Sequence, residues 1–275
     1  MMIIKTLVEN TAVSDQFEAE HGLSLYIETN QHKILFDLGA SSVFIKNARK
    51  MKIDLAGVDL AVISHGHYDH GGGLREFLRI NERAQIYLKT KAFQQHCGRK
   101  ADGGIEDIGL DDSLLPNARL TLVENDLNIG SELELFGNVN GRKFMSSLNT
   151  DMLMREGREL VPDNFAHEQN LLIKEEGKTL LIAGCAHTGM VNILEHLFTQ
   201  KQIIPSHIIG GFHLYSRAKK QAEEAKTVEE IGKYLHQTGL RFYTCHCTGR
   251  DSFQILKTIM GDHIQYLAAG SQIEI

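Results

Sequence analysis

Short apolar and alternating segments predict β-strands along the whole chain, separated by polar turns. In the first half, these segments are residues 3–8, 23–28, 33–36, 60–64, 119–124 and 132–136. In the second half, they are residues 170–174, 179–183, 207–209, 241–245 and 264–267. Polar, glycine-containing residues 97–112 and the aperiodic segment 137–165 interrupt the pattern. We interpret the second interruption as a long loop that overhangs a site.

Helical spacing of apolar residues alternates with these strands. Ser41 and Ser42 can cap a helix with an apolar face, and another helix is predicted after Gly73. In the second half, helices are predicted at 190–198, 218–236 and 252–260. Strands followed by helices in each half indicate an α/β (α+β) fold, in which two sheets pack face to face between helices as a four-layered αββα sandwich. No linker divides residues 1–275, so we expect a single domain of two similar halves.

Composition narrows the class of protein. Apolar residues make up 42% and charged residues 23%, as in an ordinary globular protein. The net charge is −6 and the basic residues are scattered, which argues against nucleic-acid binding. No apolar run reaches the ~20 residues of a membrane span. The four cysteines lack CxxC spacing and the N-terminus lacks a signal-peptide pattern, so we expect a cytoplasmic protein.

One short motif carries most of the chemistry. His65, His67, Asp69 and His70 follow the apolar run 60–63 directly, within a glycine-containing loop. Imidazole and carboxylate ligands projecting from one strand end suit Zn²⁺, Fe²⁺ or Mn²⁺. The alternative is a polar turn whose histidines face water, but three histidines and one aspartate within six residues disfavour it. The motif therefore predicts a metal site.

Three later histidines occupy a similar context. His187, His213 and His246 each follow a predicted strand and lie next to Gly or Cys. Together with the first motif, this shared position makes them candidate metal ligands. Cys185, Cys245 and Cys247 are expected to be small packing residues. Alternation along an extended segment would turn Cys245 and Cys247 away from the face that His246 uses.

The motif His65-x-His67-x-Asp69-His70 resembles the HxHxDH signature of the metallo-β-lactamase superfamily, and the resemblance runs nearly end to end. It implies that His65, His67 and His187 hold one metal ion. It also implies that Asp69, His70 and His246 hold a second. Asp37 matches an earlier acidic motif that supports the metal loop. Where the superfamily commonly has a bridging Asp or Cys, the matching segment here offers His213.

More narrowly, segments 6–10, 184–187, 210–214 and 245–249 resemble the dihydropterin-(ribofuranosyl)aminobenzene phosphate synthase subgroup, which joins a dihydropterin-methyl diphosphate to a ribosyl-aminobenzene phosphate. The resemblance implies two divalent ions, with Zn²⁺ expected and Mn²⁺ or Fe²⁺ as alternatives. Asp69 would be catalytic, binding one metal and orienting the nucleophile. The reaction would be either hydrolysis or displacement of diphosphate, because both need the same ligands.

Substrate contacts and the alternatives complete the expectations. Glu9, Asn10, His167 and Glu168 are candidate substrate-binding residues, with a structural role as the alternative for each. We expect a small-molecule substrate, and a phosphorylated substrate is one option. A homo-oligomer is one option for the assembly. A metal-loaded binding or sensing protein without turnover is the main alternative function. An oxygen-reducing or sulfur-oxidising iron enzyme of the same fold is another.

Overall fold

The computed structural model describes all 275 residues. Its strands, in chain order, are β1 (Ile3–Val8), β2 (Ser24–Glu28), β3 (Lys33–Phe36), β4 (Leu60–Val62), β5 (Gln85–Lys89), β6 (His96–Arg99), β7 (Ile105–Asp107), β8 (Leu120–Val123), β9 (Leu127–Ile129), β10 (Leu133–Gly137), β11 (Met152–Glu156), β12 (Glu159–Pro162), β13 (Gln169–Glu175), β14 (Lys178–Ile182), β15 (His207–Gly210), β16 (Tyr215–Ser216), β17 (Gln221–Ala222), β18 (Arg241–Thr244), β19 (Ile264–Tyr266) and β20 (Gln272–Glu274). The α-helices are α1 (Val43–Lys50), α2 (Tyr68–Gly71), α3 (Leu74–Ile80), α4 (Met190–His196), α5 (Ala225–Gln237) and α6 (Arg250–Met260).

Two seven-stranded sheets form the centre of the fold. The first has the order β20-β1-β2-β3-β4-β5-β8 and the second the order β19-β18-β15-β14-β13-β10-β9. In each sheet, the central strands that lead into candidate site loops run parallel to a neighbour, as β3, β4 and β5 do. The C-terminal strand β20 pairs with β1 and therefore joins the first sheet.

Three apolar clusters fill the spaces between the layers. The cluster between the sheets includes Phe36, Leu171 and Ile182, which are fully buried. A second cluster packs α1 and α3 on the first sheet, and a third packs α4, α5 and α6 on the second. This burial on both faces of both sheets confirms the predicted αββα sandwich. No helix of the fold is both long and apolar enough to cross a membrane.

The two segments expected to lack strands form a smaller sheet instead. Strands β6 and β7 come from the glycine-containing stretch, and β11 and β12 come from the predicted long loop. They assemble in the order β12-β11-β6-β7. Each strand is only three to five residues long, so neither segment shows a clear period. The expectation that segment 137–165 is only a loop is therefore wrong.

The predicted helix at 218–236 begins later than expected. Residues 215–222 form the hairpin of β16 and β17. The Glu223 carboxylate then accepts hydrogen bonds from Ser146 Oγ at 2.8 Å and from the backbone N–H of Ser147 at 2.6 Å. These contacts hold the chain extended, and α5 starts only at Ala225. Local periodicity could not reveal them because their partners lie far apart in sequence.

Candidate metal centre

The candidate ligands lie on loops that leave the carboxyl ends of parallel strands. The loop after β4 carries the first motif, and the loops after β14, β15 and β18 carry His187, His213 and His246 respectively. Parallel strands place their carboxyl ends at the same edge of a sheet, which is where ligand sites of such sheets form. The two packed sheets therefore bring four distant segments together.

His65, His67 and His187 form a first set of donors, called here donor set 1. Their ring centroids are 4.5–5.0 Å apart. All three Nε2 atoms are buried and have no hydrogen-bond partner in the protein. Burial lowers the pKa of each imidazole well below its usual value, so all three are neutral. Neutral imidazoles with unpaired nitrogens fit a divalent metal ion.

Other hydrogen bonds orient the rings of this set. Ser64 Oγ lies 2.8 Å from His65 Nδ1, and Asn149 Oδ1 lies 3.2 Å from His187 Nδ1. Because Asn149 Oδ1 can only accept, His187 carries its proton on Nδ1 and presents the Nε2 lone pair inward. Phe165 stacks on the same ring with a centroid distance of 4.7 Å.

Asp69, His70 and His246 form donor set 2. His246 Nε2 lies 3.2 Å from Asp69 Oδ2 and 3.3 Å from His70 Nε2. His70 Nε2 is 3.7 Å from the same carboxylate oxygen. Asn10 Oδ1 accepts a hydrogen bond from His246 Nδ1 at 2.9 Å, which directs the Nε2 lone pair towards the other donors.

Asp37 supports this loop from beneath. Its Oδ1 accepts from the backbone N–H of Ser64 at 2.7 Å, and its Oδ2 lies 2.6 Å from His70 Nδ1. Burial lowers the pKa of His70, but the carboxylates of Asp37 and Asp69 outweigh it and raise that pKa to about 9. Cation binding at donor set 2 must therefore release a proton from His70.

Cys185 lies between the two donor sets, so its interpretation as a packing residue is wrong. Its Sγ is 3.2 Å from His70 Nε2 and within 4.8 Å of the donor nitrogens of His65, His187 and His246. Burial raises the pKa of the thiol, whereas a coordinated thiol is deprotonated.

The expected orientation of Cys247 is also wrong. Residues His246–Thr248 form a tight 3₁₀ turn, and His246 has a φ of 51°, so strand alternation ends before them. Cys247 consequently lines the same pocket as His246, whereas Cys245 packs between the sheets as expected.

His213 lies beside donor set 1 without joining it closely. Its ring centroid is 4.2 Å from that of His187, and both of its ring nitrogens are buried without hydrogen-bond partners. Its donor atom lies within 4.8 Å of the sulfurs of Cys185 and Cys247. Its role as a ligand stays a prediction.

The four candidate substrate-binding residues make hydrogen bonds to the loops that carry the donors, which favours the structural alternative for each. The Glu9 carboxylate is fully buried and accepts hydrogen bonds from Thr11, the backbone N–H of His246 and Tyr266 Oη. Asn10 orients His246, as described above. His167 Nδ1 accepts from the Gly66 N–H at 2.9 Å, and Glu168 accepts from the N–H of His187 at 2.6 Å. All four therefore contact the ligand loops, and substrate binding by them stays a prediction.

A cavity of about 370 Å³ opens over both donor sets. Asp69, Cys185, His187, His213 and His246 lie on its floor. Its rim comes partly from the β6–β7 and β16–β17 hairpins, which contribute the exposed side chains Arg99, Lys100 and Arg217. These cations and His21 are not among the residues predicted from the sequence, because their segments carry no recognised metal motif.

The chain belongs to the metallo-β-lactamase superfamily, whose family model matches residues 18–220. This confirms the resemblance seen in the sequence. The superfamily usually binds divalent metal ions, and its members are generally metal-dependent hydrolases.

Three individual proteins are similar to this chain over nearly its whole length. An uncharacterized protein of Methanocaldococcus jannaschii, MJ0448, is 30% identical over 90% of this chain and 91% of its own. The 7,8-dihydropterin-6-methyl-4-(β-D-ribofuranosyl)-aminobenzene-5'-phosphate synthase of the same organism is 25% identical over 98% of this chain and 96% of its own. The crystal structure of Tm1679, a metal-dependent hydrolase of the β-lactamase superfamily, is 31% identical with a TM-score of 0.81, covering 100% of this chain and 99% of that one.

Proposed function

We propose that the protein is a metal-dependent enzyme that holds two divalent ions, with Zn²⁺ expected, and acts on a small phosphorylated substrate. The observation that carries this proposal is that the three Nε2 atoms of donor set 1 are buried and unpartnered on rings whose centroids lie 4.5–5.0 Å apart. Three protein ligands leave one position of a tetrahedral ion free, as in catalytic zinc sites. An open position favours turnover over a binding or sensing protein with a saturated ligand shell.

Each donor group has a distinct task in this proposal. When bound, the ions would polarise a phosphoryl oxygen and lower the pKa of an attacking water. Asp69 lies on the cavity floor, so its carboxylate can orient the proton of the attacking group. Cys185 Sγ lies within 4.8 Å of donor nitrogens from both sets. Asp37 and Asn10 keep His70 and His246 in the ligand-competent orientation.

The charges of the rim support an anionic substrate. Lys100 is paired with Glu106 at 3.7 Å, but no ion pair engages Arg99 or Arg217. A planar guanidinium can bind a phosphate through two parallel hydrogen bonds. We propose that these two arginines hold the phosphate or diphosphate group of the substrate while its reacting atom lies above the donors.

The likeness to the synthase at 25% identity supports a dihydropterin-type substrate with a diphosphate leaving group. The likeness to a metal-dependent hydrolase at 31% identity supports hydrolysis of a related ester. The donor geometry is compatible with both reactions, since both place negative charge on the departing group. The acceptor, water or an aromatic ribosyl compound, distinguishes them.

Metal content and pyrophosphate release test the proposal together. Protein purified without added metal should contain about two equivalents of divalent ion per chain. It should release pyrophosphate from dihydropterin-methyl diphosphate, either alone (a hydrolase) or only with ribosyl-aminobenzene phosphate (a transferase). His187→Ala should abolish release, whereas His236→Ala, which changes an exposed histidine on α5, should not. Less than one equivalent of metal together with no release would overturn the proposal.

A further inference from the structure

His21 faces donor set 2 although no metal motif includes it. It lies in the loop between β1 and β2, and its side chain is 22% exposed on the cavity wall. Its Nε2 is 3.3 Å from Asp69 Oδ2, and its ring centroid is 4.9 Å from that of His246. Its Nδ1 is buried with no hydrogen-bond partner.

The spacing of these donor atoms matches a coordination shell. Bonds of 2.0–2.1 Å to a tetrahedral ion place neighbouring donor atoms about 3.3–3.4 Å apart. The Asp69 carboxylate oxygen lies 3.3 Å from His21 Nε2 and 3.2 Å from His246 Nε2. His246 Nε2 in turn lies 3.3 Å from His70 Nε2. His21, Asp69 and His246 therefore place donor atoms from three different loops within 4.8 Å of one another, and His70 Nε2 adjoins the donors of Asp69 and His246.

The backbone around His21 is fixed against the same site. Leu23 N–H donates to the Asp69 carbonyl at 3.2 Å, and Gly22 N–H donates to Asn10 Oδ1 at 3.3 Å. Gly22 has a φ of +146°, and a Cβ there would lie 2.3 Å from the Asp69 carbonyl oxygen. Only glycine permits this close approach. Asn10 also orients His246, so one amide group couples the His21 loop to an established member of donor set 2.

The residue before His21 is held equally firmly. Glu20 N–H donates to the Glu9 carbonyl at 3.0 Å. The Glu20 carboxylate accepts from the backbone N–H groups of Ala40 and Ser41, each at 3.1 Å. Contacts on both sides of His21 therefore define where its imidazole projects, as expected for a side chain that has to meet a fixed partner.

We infer that His21 is a fourth protein ligand of the second metal ion, added to Asp69, His70 and His246 from the cavity side. This inference rests on the two-metal centre of the proposed function. It gives the second site three imidazoles and a carboxylate, whereas the first site keeps three imidazoles. The two sites would then differ in openness, with the free coordination position concentrated on the first ion.

Stepwise Co²⁺ titration of metal-stripped protein, followed by absorption spectroscopy and elemental analysis, tests His21 without using activity. The wild-type protein should bind two equivalents. In His21→Ala, the first equivalent should bind as before, but the dissociation constant of the second should rise at least about tenfold and its d–d spectrum should change. His21→Gln keeps the size and a hydrogen bond to Asp69, so it would rescue a merely structural role but not a ligand role.

The outcomes separate this inference from the proposal beneath it. Wild-type protein that takes up only one equivalent would overturn the two-metal centre and His21 with it. Two equivalents with unchanged affinity and spectrum in His21→Gln would overturn the role of His21 alone, whatever the result for His21→Ala. His236→Ala should titrate like the wild type, and circular dichroism should show that every variant is folded. If His21→Ala is unfolded, then His21→Gln decides: normal second-site binding in it overturns the inference.

Discussion

The two donor sets satisfy their polar atoms in opposite ways. In donor set 1, the three Nε2 atoms of His65, His67 and His187 have no partner in the protein. In donor set 2, Asp69, His70 and His246 already contact one another at 3.2–3.7 Å, and Asp37 pairs with His70. The first set is therefore neutral and unsatisfied, whereas the second contains its own charges and hydrogen bonds.

This difference has an energetic consequence. A buried polar group without a partner costs about 1–3 kcal/mol, so a cation that engages donor set 1 relieves a cost already present in the fold. A cation at donor set 2 must replace existing contacts and displace a proton from His70, whose pKa is raised to about 9. We therefore expect the first ion to bind more tightly than the second.

The largest effect should follow from removing a ligand of donor set 1. His65→Ala and His187→Ala should each lower the affinity for the first ion by more than about 100-fold. Changing a residue that only hydrogen-bonds to a ligand already lowers metal affinity by about 10–100-fold, and losing the ligand itself should cost more. Activity should fall to background in both. Elemental analysis after gel filtration measures the bound metal, and full metal retention in both variants would show that the first site is assigned wrongly.

The next largest effect should be a loss of folding stability when the metal is removed. At a free ion concentration of about 100 times the dissociation constant, binding stabilises the folded state by about 2.7 kcal/mol. For a chain of this length, that corresponds to a rise in Tm of about 5–10 °C. Differential scanning calorimetry with and without a chelator checks this. The shift should be largely absent in His187→Ala and retained in His236→Ala, and equal shifts in both would argue against stabilisation through donor set 1.

The fold was largely predictable because its signals are local. The strand before the metal motif and the helix after Gly73 were predicted, and both are observed as β4 and α3. The small sheet of β6, β7, β11 and β12 was missed, because its strands are short and the pairing of β6 with β11 that joins its two hairpins spans more than 40 residues. Nothing in the composition of either segment indicates its partner.

The site was predictable only where a compact motif marks it. Four candidate ligands lie within six residues, and the others follow strands that the apolar pattern reveals. Cys185 and His21 were not selected, because a lone cysteine or histidine in sequence is ordinarily structural. For Glu9 and His167 the sequence left two roles open, because adjacency in sequence does not show whether a polar side chain faces the cavity or a neighbouring backbone N–H. In the structure both accept a hydrogen bond from a backbone N–H.

A smaller effect should come from Asp37, which contacts a ligand but faces no cavity. Asp37→Asn keeps the volume but removes the negative charge beside His70. We expect the affinity for the second ion to fall about 10–100-fold, with binding of the first ion nearly unchanged. Stepwise metal titration measures both. If only the affinity for the first ion falls, then Asp37 does not act on the second ion through His70, contrary to what the hydrogen bonds indicate.

The smallest effect should come from His213, and the result would show whether this residue belongs to the ligands. Its ring centroid is 4.2 Å from that of His187, and its donor atom lies within 4.8 Å of the sulfurs of Cys185 and Cys247. If it is a ligand, His213→Ala should weaken metal binding by about tenfold. If the variant binds two ions with unchanged affinity, then His213 is not a ligand. Cys185 would then be the residue between the two sets, because the Cys185 sulfur lies within 4.8 Å of donor atoms from both.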